Sequence, residues 1–221
     1  MKDINFKRSQ IIVNVGAPRM GKSNLTRYLL LKTILNKKIF KFGIVFTRTK
    51  FNEDYSYIPD QYIYTEYKPE LLEKYMNGLE KLKKTTGDIP ANFVIFEDQQ
   101  GILNKTDSVL TNFVSCHRHF NSTCIFNFQY LFGASPLLRE CTTYAFMFNS
   151  KGHRTINGLF ENFGMLFDNM KEFKKYFLHN TSKKYTAIRY EQKQNKKERN
   201  YCRYKAPDVS GDEYKLIKLQ Y

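Results

Sequence analysis

The strongest constraint on this chain is a short stretch near its start, Gly16-Ala17-Pro18-Arg19-Met20-Gly21-Lys22-Ser23. It has the spacing G-x-x-x-x-G-K-S, which is the pattern of a phosphate-binding loop. A β-rich run from Ile11 to Val15 precedes the loop, and Asn24 to Leu35 carries apolar residues at helical spacing. A phosphate-binding loop lies between a buried strand and a helix, so both the motif and its surroundings predict a nucleotide site.

The residue types in this loop each have a physical reason. Gly16 and Gly21 permit backbone bends that turn N–H groups toward an anion, and the following helix adds the positive end of its dipole. We expect Lys22 to reach the β- and γ-phosphates and the Ser23 hydroxyl to hold Mg²⁺. ATP and Mg²⁺ are the predicted ligands, and the predicted nucleotide-binding residues are Gly16, Ala17, Pro18, Arg19, Met20, Gly21, Lys22, Ser23 and Asn24.

A second motif ends another predicted strand, Phe93-Val94-Ile95-Phe96-Glu97-Asp98. Four apolar residues followed by two acids form a Walker B pattern, and in a parallel sheet the acids would emerge beside the phosphate-binding loop. We expect Glu97 to orient Mg²⁺, together with Ser23, and Asp98 to polarise the attacking water. The acids follow in the order Glu-Asp rather than the usual Asp-Glu or Asp-Asp, so the reverse assignment stays open.

A third polar residue, Gln129, ends the predicted strand from Thr123. At the same sheet edge it could sense the γ-phosphate or orient water, and a solvated strand end is the alternative interpretation. Further strands are predicted at 42–47, 62–64 and 144–148, with helices between the strands. This alternation predicts an α/β fold with a mainly parallel sheet, helices on both faces, and the ligand at the carboxyl ends of the strands.

The positive charge of the chain is concentrated toward its C-terminus. The formal net charge is +15, and from Lys171 to Lys205 there are twelve Lys and Arg against three Glu. Interleaved with them are five tyrosines: Tyr176, Tyr185, Tyr190, Tyr201 and Tyr204. Basic charge with exposed aromatic rings favours nucleic acid as a partner, and a solvated tail is the alternative. We therefore predict an ATPase core over 1–170 and a basic, aromatic extension over 171–221, packed on the core or trailing from it.

Cysteine usage and hydropathy bear on the compartment. The four cysteines show no C-x-x-C spacing, which indicates reduced thiols in an intracellular protein. No apolar run is long enough to cross a bilayer.

Taken together, the motifs resemble those of the viral DNA-packaging ATPases of the FtsK–HerA superfamily, the poxvirus and giant-virus type. The similarity covers roughly residues 10 to 150. It comprises the phosphate-binding loop, Phe46-Thr47-Arg48-Thr49, Phe51-Asn52, Asp54-Tyr55, the Walker B run, Arg118-His119, Gln129 and Pro136-Leu137-Leu138-Arg139.

This resemblance implies a RecA-like P-loop NTPase core, assembled as a ring that is commonly a hexamer or pentamer. It implies an ATP-driven motor that moves viral double-stranded DNA into a capsid, independently of DNA sequence, with capsid vertex proteins as partners. Gln129 matches the polar sensor of the family, and a neighbouring subunit would supply an arginine, for which Arg139 and then Arg118 are the candidates. The segments 99–105 and 151–154 are candidate channel elements.

The implied location is the host-cell interior, either cytoplasm or virus factory, with association with the virion left open. An FtsK/HerA-like translocase or a phage-assembly ATPase outside packaging is the alternative function. A P-loop small-molecule kinase is a third interpretation, but a kinase would not need this much positive charge.

Overall fold

The computed structural model describes residues 9–32, 39–52, 54–99, 107–131, 135–192, 201–205 and 207–209. Its strands are β1 (Ile11–Val15), β2 (Phe42–Thr47), β3 (Ile63–Tyr64), β4 (Asn92–Glu97), β5 (Ser122–Phe128), β6 (Tyr144–Phe148), β7 (Thr186–Glu191) and β8 (Tyr201–Lys205). Its α-helices are α1 (Lys22–Lys32), α2 (Pro69–Thr86), α3 (Ser108–Cys116), α4 (Pro136–Glu140), α5 (His153–Phe163) and α6 (Met170–Thr181).

These strands form one sheet in the order β3-β2-β4-β5-β1-β6-β7-β8. The pairs among β1 to β6 are parallel, whereas β7 pairs antiparallel with both β6 and β8. The predicted mainly parallel α/β sheet is therefore confirmed. Strand β1, which leads into the phosphate-binding loop, lies between β5 and β6, and β4 lies on the far side of β5. The carboxyl ends of β1, β4 and β5 consequently meet at one edge.

Residues of the parallel strands alternate between two apolar clusters, one on each face of the sheet. On one face Ile12, Ile95 and Ile125 pack with Leu25 and Leu29 of α1. The opposite face is covered by α2 to α6, whose buried residues join those of the strands in a larger core. Helices thus cover both faces, as predicted, although the described residues place α1 alone on one face and five helices on the other.

The described part of 171–221 continues this architecture. Helix α6 packs on the face opposite α1, and β7 and β8 extend the sheet. The expectation of exposed aromatic rings is wrong for Tyr190 and Tyr204, which are buried, and for Tyr176 and Tyr201, which pack against the core. These rings turn inward because each helix and strand here buries one side against the core. Tyr185, in the turn before β7, is 42% exposed.

Several element boundaries differ from the sequence prediction. The sequence predicts helices over 24–35, 107–120 and 156–167. In the structure α1 begins at Lys22, α3 ends at Cys116, and α5 begins at His153. The polar composition of 191–200 predicts a loop; Glu191 is instead the last residue of β7, and residues 193–200 lie outside the described residues. Within the described ranges, no helix has both the length and the hydropathy needed to cross a membrane.

Candidate nucleotide site

The phosphate-binding loop occupies residues 16–21 and is hydrogen-bonded to the carboxyl ends of β5 and β6, the two strands that flank β1. The Gly16 N–H donates to the Phe128 carbonyl (3.1 Å), and the Ala17 N–H donates to the Asn149 carbonyl (3.1 Å). Gly16 lies so close to β6 that a Cβ there would be 2.5 Å from the Phe148 Cβ. Gly21 has a φ of +109°, a backbone angle that residues other than glycine rarely adopt. Glycine is therefore required at the two positions for different reasons: close approach to β6 at Gly16 and backbone conformation at Gly21.

Lys22 is buried at the start of α1, with its ammonium group turned back over the loop. Its Nζ donates to the carbonyls of Gly16 (2.8 Å) and Ala17 (3.0 Å). Burial lowers the pKa of Lys22, and the negative charges of Asp98 and Glu97 oppose that shift. The side chain is thus held inside the loop that its sequence motif predicts to bind phosphate.

A row of buried polar residues crosses the sheet just below the loop. Thr47, Glu97, Asn127 and Asn14 occupy matched register positions on β2, β4, β5 and β1. They lie on the face that α1 covers: Thr26 of α1 bonds to Asn14 (3.1 Å) and to Asn127 (3.0 Å). The Asn14 amide also donates to the Asn127 side-chain oxygen (2.7 Å). This polar row connects the first helix to the strand that carries the acids.

The Glu97 carboxylate accepts three hydrogen bonds from side chains. Its Oε1 accepts a hydrogen bond from the Ser23 hydroxyl (2.6 Å). Its Oε2 accepts one from the Asn127 amide (2.6 Å) and another from the Tyr55 hydroxyl. Burial raises the pKa of Glu97, the three hydrogen bonds oppose that rise, and the charge of Asp98 adds to it. The result is a desolvated carboxylate in one fixed orientation.

The pair Ser23 and Glu97 fits the predicted metal. Mg²⁺ prefers hard oxygen ligands and is commonly held by one or two protein groups together with water and phosphate oxygens. Here a hydroxyl and a carboxylate oxygen lie 2.6 Å apart at the start of α1, next to the loop. The donor set is thus of the right chemical type for Mg²⁺.

Asp98 and Gln129 form a second polar pair at the same sheet edge. Asp98 directly follows β4 with a φ of +52°, and Gln129 directly follows β5. The Gln129 amide donates to Asp98 Oδ1 over 3.4 Å, and both side chains are half-buried. Glu97 faces Ser23 while Asp98 faces Gln129, an arrangement that favours the metal role for Glu97 and the water role for Asp98.

The two candidate arginines lie at the end of the sheet opposite the phosphate-binding loop. Arg139 is in α4, which precedes β6, and its Nη1 donates to the Asn162 side chain (2.8 Å). Arg118 follows α3 and precedes β5, whose first residue Ser122 donates to the His117 carbonyl (2.9 Å). Both therefore lie near the amino ends of the parallel strands, away from the phosphate-binding loop of the same chain. Their role toward a neighbouring subunit stays a prediction.

The candidate channel segments differ in their environment. Gln99 is buried, and its side-chain oxygen accepts from the Tyr67 N–H (3.0 Å), while residues 100–105 lie outside the described residues. Lys151 and Arg154 are exposed just after β6. The second segment therefore remains a candidate for DNA contact.

Sequence reasoning assigned no role in the site to Asn14, Asn127 or Tyr55. The two asparagines had a usable signal, because each is an amide in the middle of a run predicted as a buried strand. A buried amide needs hydrogen-bond partners, and those partners indicate a polar site. Tyr55 belongs to the Asp54-Tyr55 pair of the resemblance, but nothing in its local sequence reveals a contact with Glu97, 42 residues away.

Comparisons with known proteins agree with this fold. No protein-family model matches the chain, and no curated protein matches it by sequence. Among solved structures, the DNA-packaging ATPase B204 of Sulfolobus Turreted Icosahedral Virus superposes with a TM-score of 0.62 at 16% identity, over 83% of this chain and 92% of that one. B204 of Sulfolobus turreted icosahedral virus 2, in complex with sulfate, gives 0.68 at 14% identity, over 91% and 98% of the two chains.

A third similar structure belongs to a different system. The pCW3 conjugation coupling protein TcpA, solved with ATPγS, gives a TM-score of 0.63 at 13% identity, over 93% of this chain and 62% of that one. The resemblance drawn from the motifs is thus matched by a resemblance in fold to a DNA-packaging ATPase and to a conjugation coupling protein. At these identities the comparison establishes the fold.

Proposed function

We propose that this protein is a Mg²⁺-dependent ATPase that drives double-stranded DNA into a viral capsid. The observation that carries the proposal is the meeting of Lys22, the Ser23–Glu97 pair and the Asp98–Gln129 pair at one sheet edge. The fold similarity to B204, a DNA-packaging ATPase, supports packaging as the task. The similarity to TcpA supports a second candidate, a DNA translocase that acts outside packaging.

The residues divide the chemistry among them. The loop N–H groups and Lys22 bind the β- and γ-phosphates of ATP, and Lys22 exchanges its bonds to the loop carbonyls for bonds to phosphate oxygens. Ser23, and Glu97 through water, would hold Mg²⁺, which would supply positive charge next to the phosphates. Asp98 accepts a hydrogen bond from the attacking water, and the Gln129 side chain orients that water toward the γ-phosphorus.

In this proposal the nucleotide site is completed by assembly. We expect subunits to form a ring in which Arg139, or else Arg118, approaches the γ-phosphate of the neighbouring subunit. An arginine supplied in trans stabilises the charge of the transferring phosphoryl group and raises turnover by about 10³- to 10⁵-fold in other NTPases. An isolated subunit would therefore be nearly inactive.

DNA binding in this proposal depends on interactions with the phosphate backbone. Helix α6 presents Lys171, Lys174 and Lys175 to solvent, and Lys183 and Lys184 follow it on the exposed turn. Sequence-independent binding through such side chains weakens steeply with salt. Replacing Lys171, Lys174 and Lys175 with Gln should reduce the slope of log K against log salt concentration by about one for each lysine that binds a DNA phosphate. Since β7 and β8 belong to the sheet, these substitutions test the basic segment better than its deletion.

The decisive experiment measures ATP hydrolysis against protein concentration, with and without long duplex DNA. A rate per subunit that rises with concentration and rises further with duplex DNA is the expected result. A constant, DNA-independent rate per subunit would overturn the motor and favour the kinase interpretation, and no hydrolysis under any condition would overturn the ATPase. Stimulation by single-stranded but not duplex DNA would favour the translocase that acts outside packaging.

A further inference from the structure

The two oxygens of the Glu97 carboxylate have different partners. Oε1 is bonded to the Ser23 hydroxyl, on the side of the phosphate-binding loop. Oε2 takes two donors that do not belong to the loop, the Asn127 amide and the Tyr55 hydroxyl. The two donors on Oε2 fix the plane of the carboxylate. Oε1 therefore keeps a constant direction toward Ser23.

Tyr55 reaches Glu97 from a segment that belongs to neither motif. It lies between β2 and β3, is 4% exposed, and its carbonyl accepts a hydrogen bond from the Ile58 N–H (2.8 Å). Burial and the neighbouring Glu97 charge hold the pKa of Tyr55 well above its usual value, so the hydroxyl remains a donor. The ring of Tyr57 packs at 6.3 Å from that of Tyr55, and both rings belong to the apolar cluster under α1.

The other donor to Oε2 is the side-chain amide of Asn127. This residue occupies the register position next to Glu97 on β5, and its own side chain is bonded to Thr26 of α1. The position of Asn127 is therefore fixed by the sheet and by α1, whereas that of Tyr55 is fixed by a connection between strands. Without the Tyr55 hydroxyl, Oε2 would keep a single donor and the carboxylate could rotate about its Cγ–Cδ bond.

We propose that Tyr55 is a positioning residue for the metal site: its hydroxyl, together with the Asn127 amide, orients Glu97 so that Oε1 faces Ser23 and the Mg²⁺ of a bound nucleotide. This inference rests on the proposed function, because it concerns the same nucleotide site. Partners that orient a metal-binding group commonly contribute about 10- to 100-fold to metal affinity. The effect of removing the hydroxyl should consequently appear in Mg²⁺-dependent binding and not in the contacts of the loop with phosphate.

The test is a binding measurement by titration calorimetry with AMPPCP, a non-hydrolysable ATP analogue, in Mg²⁺ and in EDTA. For Tyr55→Phe the dissociation constant in Mg²⁺ should rise by about tenfold, whereas the value in EDTA should equal that of the wild type. Tyr57→Phe is the matched control, because it removes a hydroxyl from the other buried tyrosine of this segment and should leave both values unchanged. A thermal melt of each variant reports on folding.

A double-mutant cycle then separates positioning from general packing. In a Glu97→Gln background the metal-facing carboxylate is gone, so adding Tyr55→Phe should change Mg²⁺-dependent binding by less than about twofold, the usual limit of additivity. An equal loss in both backgrounds, or an equal loss in Mg²⁺ and EDTA, would make Tyr55 a packing residue and overturn the inference. A wild-type protein that binds no nucleotide would instead overturn the proposed function.

Discussion

The close approach of Gly16 to β6 makes a quantitative prediction for Gly16→Ala. Carbon atoms in ordinary contact are about 3.5–4.0 Å apart, but the added Cβ would be 2.5 Å from the Phe148 Cβ and 3.0 Å from the Phe148 carbonyl oxygen. The Phe148 Cβ is attached directly to the backbone and the carbonyl oxygen is part of it, so neither atom can rotate away. The loop or the end of β6 must therefore move by about 1 Å to restore ordinary contact.

Such a movement has an energetic and a functional consequence. Overpacking of this kind typically destabilises a fold by about 1–3 kcal/mol. It would also disturb the hydrogen bonds that suspend the loop, from Gly16 N–H to Phe128 and from Ala17 N–H to Asn149. We therefore expect Gly16→Ala to lower the free energy of unfolding by about 1–3 kcal/mol and to weaken nucleotide binding in the folded fraction.

The chain provides a matched control at Gly78, in the exposed part of α2. A Cβ at Gly78 would meet no atom within 4 Å, and alanine is favoured over glycine inside a helix by about 0.8–1.0 kcal/mol. Gly78→Ala should thus raise stability by up to this amount, so the same chemical change has opposite signs at the two positions. Urea unfolding of both variants, compared at equal m-values, measures the difference.

The result that would refute this reasoning is specific. If Gly16→Ala unfolds at the same urea concentration as the wild type and binds AMPPCP equally well, the loop is not packed against Phe148 as described. If both glycine variants lose stability, the loss at Gly16 could not be assigned to the close approach.

Three further predictions concern the site itself. Lys22→Ala should abolish ATP hydrolysis while leaving the cooperative melt intact, and retained hydrolysis would remove the loop from the mechanism. Asp98→Asn should bind Mg²⁺ and nucleotide but not turn over; if Glu97→Gln behaves in that way and Asp98→Asn loses Mg²⁺ binding instead, the two roles are reversed. Because burial raises the pKa of Glu97 in the folded state, its stabilising contribution is complete below the unfolded pKa of about 4.3 and is lost as pH rises through the folded value. The melting temperature of Glu97→Gln minus that of wild type should therefore increase as pH rises above about 4.3 without Mg²⁺ or nucleotide, and a difference independent of pH would contradict the buried ionisation.

The motifs and the parallel strands could be predicted because local sequence encodes them. Apolar runs such as 93–96 identify buried strands, and glycine, lysine and serine at fixed spacing identify a phosphate-binding loop. Strand β8 could not be predicted in this way, since its sequence Tyr-Cys-Arg-Tyr-Lys lacks an apolar run and resembles the charged segment around it. It becomes a strand by pairing with β7, where Tyr204 is opposite Ala187. Pairing of this kind depends on contacts that no local pattern reveals.

The site shows the same division between local and distant information. Glu97 and Asp98 follow directly from the end of an apolar run, but the environment that decides their roles does not. Asn127 comes from β5 and Tyr55 from the connection after β2, and sequence separations of 30 and 42 residues divide them from Glu97. The sequence could not decide which acid takes the metal role and which the water role, because that depends on which acid faces Ser23.

Aromatic packing on the opposite face of the sheet explains why the polar site residues lie at the same register position on neighbouring strands. One residue before the polar row, Phe46, Phe96 and Phe126 occupy matched register positions on β2, β4 and β5. Their rings are stacked, with centroids 5.2 Å apart for the first pair and 4.6 Å for the second, and such pairs contribute about 0.5–1.5 kcal/mol each. Because side chains alternate along a strand, a stack that fixes these positions on one face also fixes the next residues, Glu97 and Asn127, on the other. The same strand alignment therefore sets both the aromatic packing on one face of the sheet and the positions of the candidate site residues on the other.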